Sequence, residues 1–376
     1  MHLTNNSSRY DIVDLLRGMA ILLVVIRHAQ LRIPFDESSL LINLPDQIYS
    51  AIFISGNEGV RMFFVISGFL ITMNSLTRYN NLKQINAKEF YAYRFARIAP
   101  CLIGLIAILS ALHFLGVKGF VINEKFSYVE VVFSAITFHL NWLEGMKGYL
   151  PGSWDVLWSL SVEEIFYLGF PIICLACRSK TSLYIILIAL VFIGPFNRLF
   201  LDGSKIWQSK AYLSCMDSIA IGCLCALLSH KKALSKSAIA ALSIIGALIV
   251  VFVLMVKRGS SFDLLKELYL FKTLLSVGVG LLLISSVRQQ LAPIIKKLVS
   301  PLLIYGRLSY EIYLTHFFIV YYGVWLFKTY QVSIDYSLLY LLGIIFVSGL
   351  LAYIVEHYFS RPMNFWIRSR LKTSGS

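Results

Sequence analysis

Apolar runs of about 17–25 residues recur from one end of this chain to the other, near 12–30, 59–77, 98–116, 157–177, 182–200, 211–229, 238–256, 268–287, 303–327 and 337–357. A run of that length crosses the ~30 Å hydrocarbon core of a bilayer as a helix. In lipid each backbone N–H and C=O must find its partner inside the protein, which leaves helices or a closed barrel. Runs this long select helices. With 58% hydrophobic and 14% charged residues in 376, no stretch between the runs could build a separate soluble core. The chain therefore reads as all-α: a polytopic membrane helix bundle forming one integral membrane domain over 1–376, with the lipid bilayer as its first partner. The first run is flanked by charge at both ends and has no small-residue cleavage site after it, so it is read as a span and not a cleaved signal peptide.

An eleventh apolar run, 128–142, contains Glu130, His139 and Asn141 and is short. Lysine and arginine collect on the cytoplasmic side of membrane proteins, and this rule decides whether the run crosses. If it does not cross and the N-terminus is cytoplasmic, the inner segments 1–11, 78–97, 178–181, 230–237, 288–300 and 361–376 hold 18 Lys/Arg in 72 residues; the outer segments hold 10 in 98. If it does cross, "HKKALSK", "RQQLAPIIKK" and the basic tail face outward. Ten spans with both termini cytoplasmic are expected, with 128–142 re-entrant or interfacial. The net charge of +14 thus follows topology and does not call for nucleic acid. All six cysteines fall inside apolar runs, where they read as small apolar side chains and not as metal ligands. No internal repeat, a frequent mark of transporters, is evident.

Ionisable groups in hydrocarbon cost several kcal/mol each, depending on depth and snorkelling. The run "DLLRGMAILLVVIRHAQ" keeps Asp14, Arg17, Arg27 and His28. Arg17 and His28 are eleven residues apart, about three turns, so they share one helix face and lie roughly 16 Å apart along it. Asp14 is on that face too. Arg17 is expected at the cytoplasmic edge and His28 near the outer leaflet. Singly, Arg17 could be a snorkelling anchor and His28 an interfacial side chain; a shared face argues for a joint role. In "SWDVLWSLSVEEIFYLGFP" Glu163 and Glu164 are expected about two turns below the outer surface, near the depth of His28. A carboxylate there could orient an imidazole that takes a proton from a hydroxyl. Adjacent glutamates point about 100° apart, so one of the two is expected to face the site. Arg94 and Arg97, one turn apart, form a fork suited to phosphate, although they also fit a plain cytoplasmic basic cluster. Ser67-Gly68 lets another helix approach closely. Arg307 and Glu311, at i and i+4, read as a structural ion pair.

These motifs together resemble the large acyltransferase family three of membrane proteins, which includes bacterial O-acetyltransferases of surface polysaccharides. The matching pieces are "RGMAILLVVIRH" at 17–28, "FFVISGFL" at 63–70, "RFAR" at 94–97 and "WSLSVEEIFY" at 158–167, with a weaker match in "LSYEIYLTH" at 308–316. They occur in the family's order and extend over most of the chain. The resemblance implies transfer of an acyl group, usually acetyl, from cytoplasmic acyl-CoA to a hydroxyl of an extracytoplasmic acceptor, a glycan or a lipid-linked sugar. It implies His28 as the catalytic histidine with Glu163 beside it. It implies Arg17, Arg94 and Arg97 at the donor, with Asp14, Ser67, Trp158, Glu164 and His316 supporting. Acetyl-CoA enters as a substrate; no permanently bound cofactor and no metal is expected. Some relatives carry a fused extracytoplasmic esterase-like domain. The chain is expected to lack one, because it ends soon after its tenth span, and a separate extracytoplasmic partner enzyme would then finish the transfer unless the membrane domain acts alone. The expected location is the bacterial cytoplasmic membrane. A transporter or flippase using the buried Arg, His and Glu as a substrate or proton path is the competing reading.

Overall fold

Acids at its start and bases at its end suit the first run to a helix, because each sign sits at the dipole end that favours it. In the computed structural model this helix, α1, is Asp11–Gln30, with Asp11 and Asp14 in its first turn and Arg27 and His28 in its last. The structure describes residues 10–200, 205–231, 234–256, 269–287 and 289–373. Parts of the expected inner segments (1–9, 232–233, Arg288 and 374–376), part of an expected outer segment (201–204), the expected outer loop 257–267 and residue 268 of the eighth expected span lie outside the described residues.

The following long helices are α2 (Gly56–Tyr79) and α3 (Ala87–Phe114), then two short ones, α4 (Tyr128–Ile136) and α5 (Leu140–Lys147). After these come α6 (Leu157–Ala176), α7 (Lys180–Phe200), α8 (Tyr212–Lys231), α9 (Lys236–Met255) and α10 (Leu270–Ser286). The chain closes with α11 (Ser300–Arg307), α12 (Ser309–Thr329), α13 (Ser337–Val355) and α14 (Arg361–Thr373). The described residues of the ten expected spans are almost wholly helical, with 303–327 divided at Leu308 between α11 and α12. Among the described residues, seven stretches are long and apolar enough to cross a membrane: 56–79, 87–114, 152–176, 180–200, 205–230, 236–255 and 334–370. Large apolar side chains exposed on α3, α7, α9 and α13, among them Ile103, Phe192, Leu248 and Phe346, give these helices a face toward lipid.

The 128–142 run is broken into two helices. Ser127 and Glu130 form a capping box at the start of α4, and Phe138, with φ +60°, turns the chain between α4 and α5. At nine and eight residues the two helices are about 13 and 12 Å long, too short to cross.

Contacts between loops sort the chain into two ends. At one end Lys296 pairs with Asp11 at 2.9 Å, Lys83 bonds the Arg178 carbonyl, and Arg368 lies over the Tyr93 ring. At the other end the Ser39 amide donates to Asp335, and Lys210 bonds Glu144 and Asp155. Segments expected on one side gather at one end.

Close backbone contact fixes the central helices. A Cβ on Gly68 would overlap the Ile219 carbonyl, and one on Gly222 the Val65 carbonyl, so α2 and α8 pack backbone to backbone. Gly18 and Gly306 do the same for α1 and α11. Small residues permit this approach where lipid supplies no hydrophobic drive between helices. All six cysteines are free and buried.

Candidate active site

α1 and α12 bring the candidate site residues together. Arg17 Nε donates to Ser309 Oγ at 3.0 Å, and His28 Nδ1 meets His316 Nε2 at 2.9 Å. The two α1 side chains therefore both face α12, as their eleven-residue spacing requires.

The histidine pair fixes its own protons. His316 Nδ1 lies 2.8 Å from the Tyr313 carbonyl and 3.0 Å from the Ile312 carbonyl. A carbonyl only accepts, so this nitrogen carries the hydrogen, and Nε2 of the neutral ring is an acceptor. His28 Nδ1 must then donate to it, which leaves the lone pair of a neutral His28 on Nε2. His28 is thereby held as the tautomer that can take a proton at Nε2, the part an acidic partner plays in a Ser-His-Asp triad being taken by a second imidazole. The His28 ring is stacked with His316 (centroids 5.1 Å apart) and tilted on Phe317 (4.5 Å). Arg32 closes the site by donating to the His28 carbonyl at 2.7 Å and the Tyr321 hydroxyl at 3.0 Å.

Below the pair a cavity of about 880 Å³, its open mouth included, is lined by Arg17, Ser67, Arg94, Arg97, Glu163 and Tyr167 and continues to Ser159 and Tyr313. The Tyr313 and Ser159 hydroxyls are 2.7 Å apart, and Tyr313 is one turn below His316 on α12, with ring centroids 6.1 Å apart. The cavity thus runs from the arginines to the foot of the histidine pair. Arg94 stacks on the Tyr167 ring at 3.8 Å, and the Tyr167 hydroxyl shares a hydrogen bond with Ser67. This stacking holds the guanidinium flat in a cavity that it shares with the Glu163 carboxylate.

The expected link from Glu163 to His28 is corrected by the structure. His28 has His316 as its partner, and Glu163 lies among the arginines. Depth is the reason: Ser159 is already level with Tyr313, and Glu163 lies one further turn, about 6 Å, toward the arginine end. Glu164 is buried and turned away from the cavity, with one carboxylate oxygen lacking a hydrogen-bond partner. Asp14 is buried and pairs with Arg307 at 3.9 Å, while Glu311 accepts from Ser360 at 2.7 Å. The i,i+4 pairing expected for Arg307 and Glu311 is replaced by these two contacts. Trp158 is buried beneath the edge of Phe64, with the Lys210 ammonium 5.4 Å from its ring.

His316, expected as a supporting residue, is the hydrogen-bond partner of His28, and Ser309, Tyr167 and Tyr313 join the site without having been singled out in the sequence. The signal available was the repeat of polar and aromatic residues every three or four positions in "SYEIYLTH", one face of a helix.

Residues 10–353 match a protein family described as an acyltransferase domain. The chain belongs to this family. It is also similar to the O-acetyltransferase OatA of Staphylococcus aureus strain NCTC 8325 / PS 47, 26% identical over 290 residues, covering 70% of this chain and 46% of the relative. OatA of strain COL gives the same values. The chain thus spans about half the length of the curated relatives it matches. No solved structure matches it.

Proposed function

We propose that this chain is a membrane O-acyltransferase that moves an acyl group, most simply acetyl, from cytoplasmic acyl-CoA to a hydroxyl of an extracytoplasmic acceptor, a sugar of a surface polysaccharide or its lipid-linked precursor. One observation carries the proposal: a cavity that begins at Arg17, Arg94 and Arg97 ends below a histidine with its Nε2 lone pair free. The family and the relatives named O-acetyltransferase support the same chemistry.

In this reading the chain forms one membrane domain over 1–376 in a bacterial cytoplasmic membrane, with ten spans and both termini cytoplasmic. The charged CoA head stays at the arginine end and the thioester reaches His28 through the cavity. His28 Nε2 takes the acceptor hydroxyl proton as the oxygen attacks the thioester carbonyl. The C–S bond breaks, the new C–O bond forms, and the imidazolium returns its proton to the departing thiolate. A two-step route, in which Nε2 first accepts the acyl group and then passes it to the hydroxyl, uses the same atoms.

The test is reconstitution in vesicles with acetyl-CoA and a soluble oligosaccharide on opposite faces. CoA release matched by acetylated sugar is expected, both falling about 10²- to 10⁴-fold in His28→Ala. A protein that carries substrate across without consuming acetyl-CoA would be a transporter, and the proposal would fall.

A further inference from the structure

A second chamber opens at the arginine end and adjoins the first at Arg97 and Tyr310. Its volume is about 840 Å³, its open mouth included. Its charged lining is Arg97, Arg307, Arg361, Arg368, Glu311 and Glu356. Four guanidiniums stand with two carboxylates in this lining, and Arg307 also pairs with Asp14, so positive charge is in excess. One of those carboxylates, Glu311, is already bonded by Ser360. Crowding is tightest around Tyr93, whose ring carries Arg78 at 4.0 Å and Arg368 at 4.8 Å. The Nε of Arg368 is buried without a hydrogen-bond partner. Guanidiniums held this close, one with an unused donor, call for an anion. Phe365, three-quarters exposed, stands in the same lining with Asn364.

A bend builds this wall. Glu356–Ser360 is a π-helical turn between α13 and α14, and it swings α14 against α3, so that Ser360 reaches Glu311 and Arg368 reaches Tyr93.

We propose that this chamber is the subsite for a 3′-phosphorylated adenosine, the far end of a CoA donor, with Arg361 and Arg368 on the phosphate and Phe365 against the adenine. The assignment rests on the donor reading above and adds to it a phosphate-specific wall supplied by α14. A phosphate monoester carries a charge near −1.5 to −2 at neutral pH, the sign that this lining favours. Arginine grips such a group through two parallel N–H donors. An exposed aromatic ring next to it suits a flat base. Arg97, shared by both chambers, falls where the diphosphate would join the nucleoside to the arm.

The experiment measures binding of CoA and of dephospho-CoA, which lacks only the 3′-phosphate, to the full chain purified in neutral detergent. Wild type should prefer CoA by roughly 10- to 100-fold, the worth of one charged hydrogen-bonding group. Arg361→Gln/Arg368→Gln should bring CoA down to the affinity of dephospho-CoA and leave the latter unchanged, which also shows that the variant is folded. Arg368→Lys should keep part of the preference. Adenosine 3′,5′-bisphosphate should displace CoA, whereas short-chain phosphatidylglycerol should not. No preference in wild type, or an unchanged preference in the double variant, overturns the subsite. Displacement by the lipid and not by the nucleotide makes the chamber a lipid headgroup site. Failure of wild type to bind either CoA form sinks the donor reading itself, a result distinct from equal binding of both.

Discussion

Replacing His316 by leucine removes the acceptor for His28 Nδ1–H and keeps a buried apolar volume in its place. The lost bond is 2.9 Å long and lies against Phe317, with His316 fully buried and His28 partly so. A buried donor left without a partner costs about 1–3 kcal/mol. The same change frees His28 to move its hydrogen to Nε2, the form that cannot act as base. At 1.4 kcal/mol per decade, turnover should fall roughly 10- to 100-fold with KM for acetyl-CoA unchanged, since the arginines are untouched. His316→Gln offers an amide oxygen to the same hydrogen and should recover part of the loss. Removing the base itself, His28→Ala, should cost about 10²- to 10⁴-fold. The double variant should be no slower than His28→Ala alone, because His316 acts only through His28. Steady-state release of CoA in the vesicle assay reads all four variants. Normal turnover in a well-folded His316→Leu protein would refute the reasoning, as would additive losses in the double variant.

Arg94→Ala removes a guanidinium held flat on Tyr167 and should weaken direct binding of a non-hydrolysable acetyl-CoA analogue by roughly 10- to 100-fold, with Arg94→Lys recovering part. Glu163→Gln takes a negative charge out of the arginine cavity, so CoA should bind as tightly as to wild type or severalfold tighter; a tenfold weakening would mean that Glu163 orders the arginines. Gly18→Val forces a side chain into the Leu302 carbonyl and should lower the melting temperature in detergent, at a cost of about 1–3 kcal/mol or more. Cysteines introduced at 143–153 should label from outside the cell and those at 234–237 only after permeabilisation, and the reverse at 234–237 would overturn the ten-span topology.

The helices and their grouping were legible because apolar length and the bias of lysine and arginine both follow from the bilayer. Arg17 and His28 could be placed on one face from the helical period alone. Their partners could not. Nothing in "LLRGMAILLVVIRHAQ" says which helix will lie beside it, and the choice of α12 depends on Gly18 and Gly306 meeting backbone to backbone near the same end. Glu163 was drawn to His28 by counting turns from an assumed membrane surface. The actual register of α6 is set at its start, where Trp154 Nε1 donates to the Phe120 carbonyl and Ser153 Oγ to the Gly119 carbonyl. A shift of one turn in that register is invisible in sequence and changes which charge a carboxylate meets. The chamber beside α14 was hidden for a similar reason: a basic tail read as topology acquires its geometry only from the π-helical bend before it.

Arg17 and His28 stand on one unbroken helix, and that makes α1 a ruler. The proposed reaction needs no alternation between inward- and outward-open forms, since the donor's own covalent length does the crossing. A donor with phosphate and acyl group adjacent, such as acetyl phosphate, cannot touch both marks at once and should fail as a substrate however reactive it is. One alanine inserted between the marks would leave the composition of the site intact, yet it would turn Arg17 by about 100° relative to His28 and lengthen the scale by about 1.5 Å.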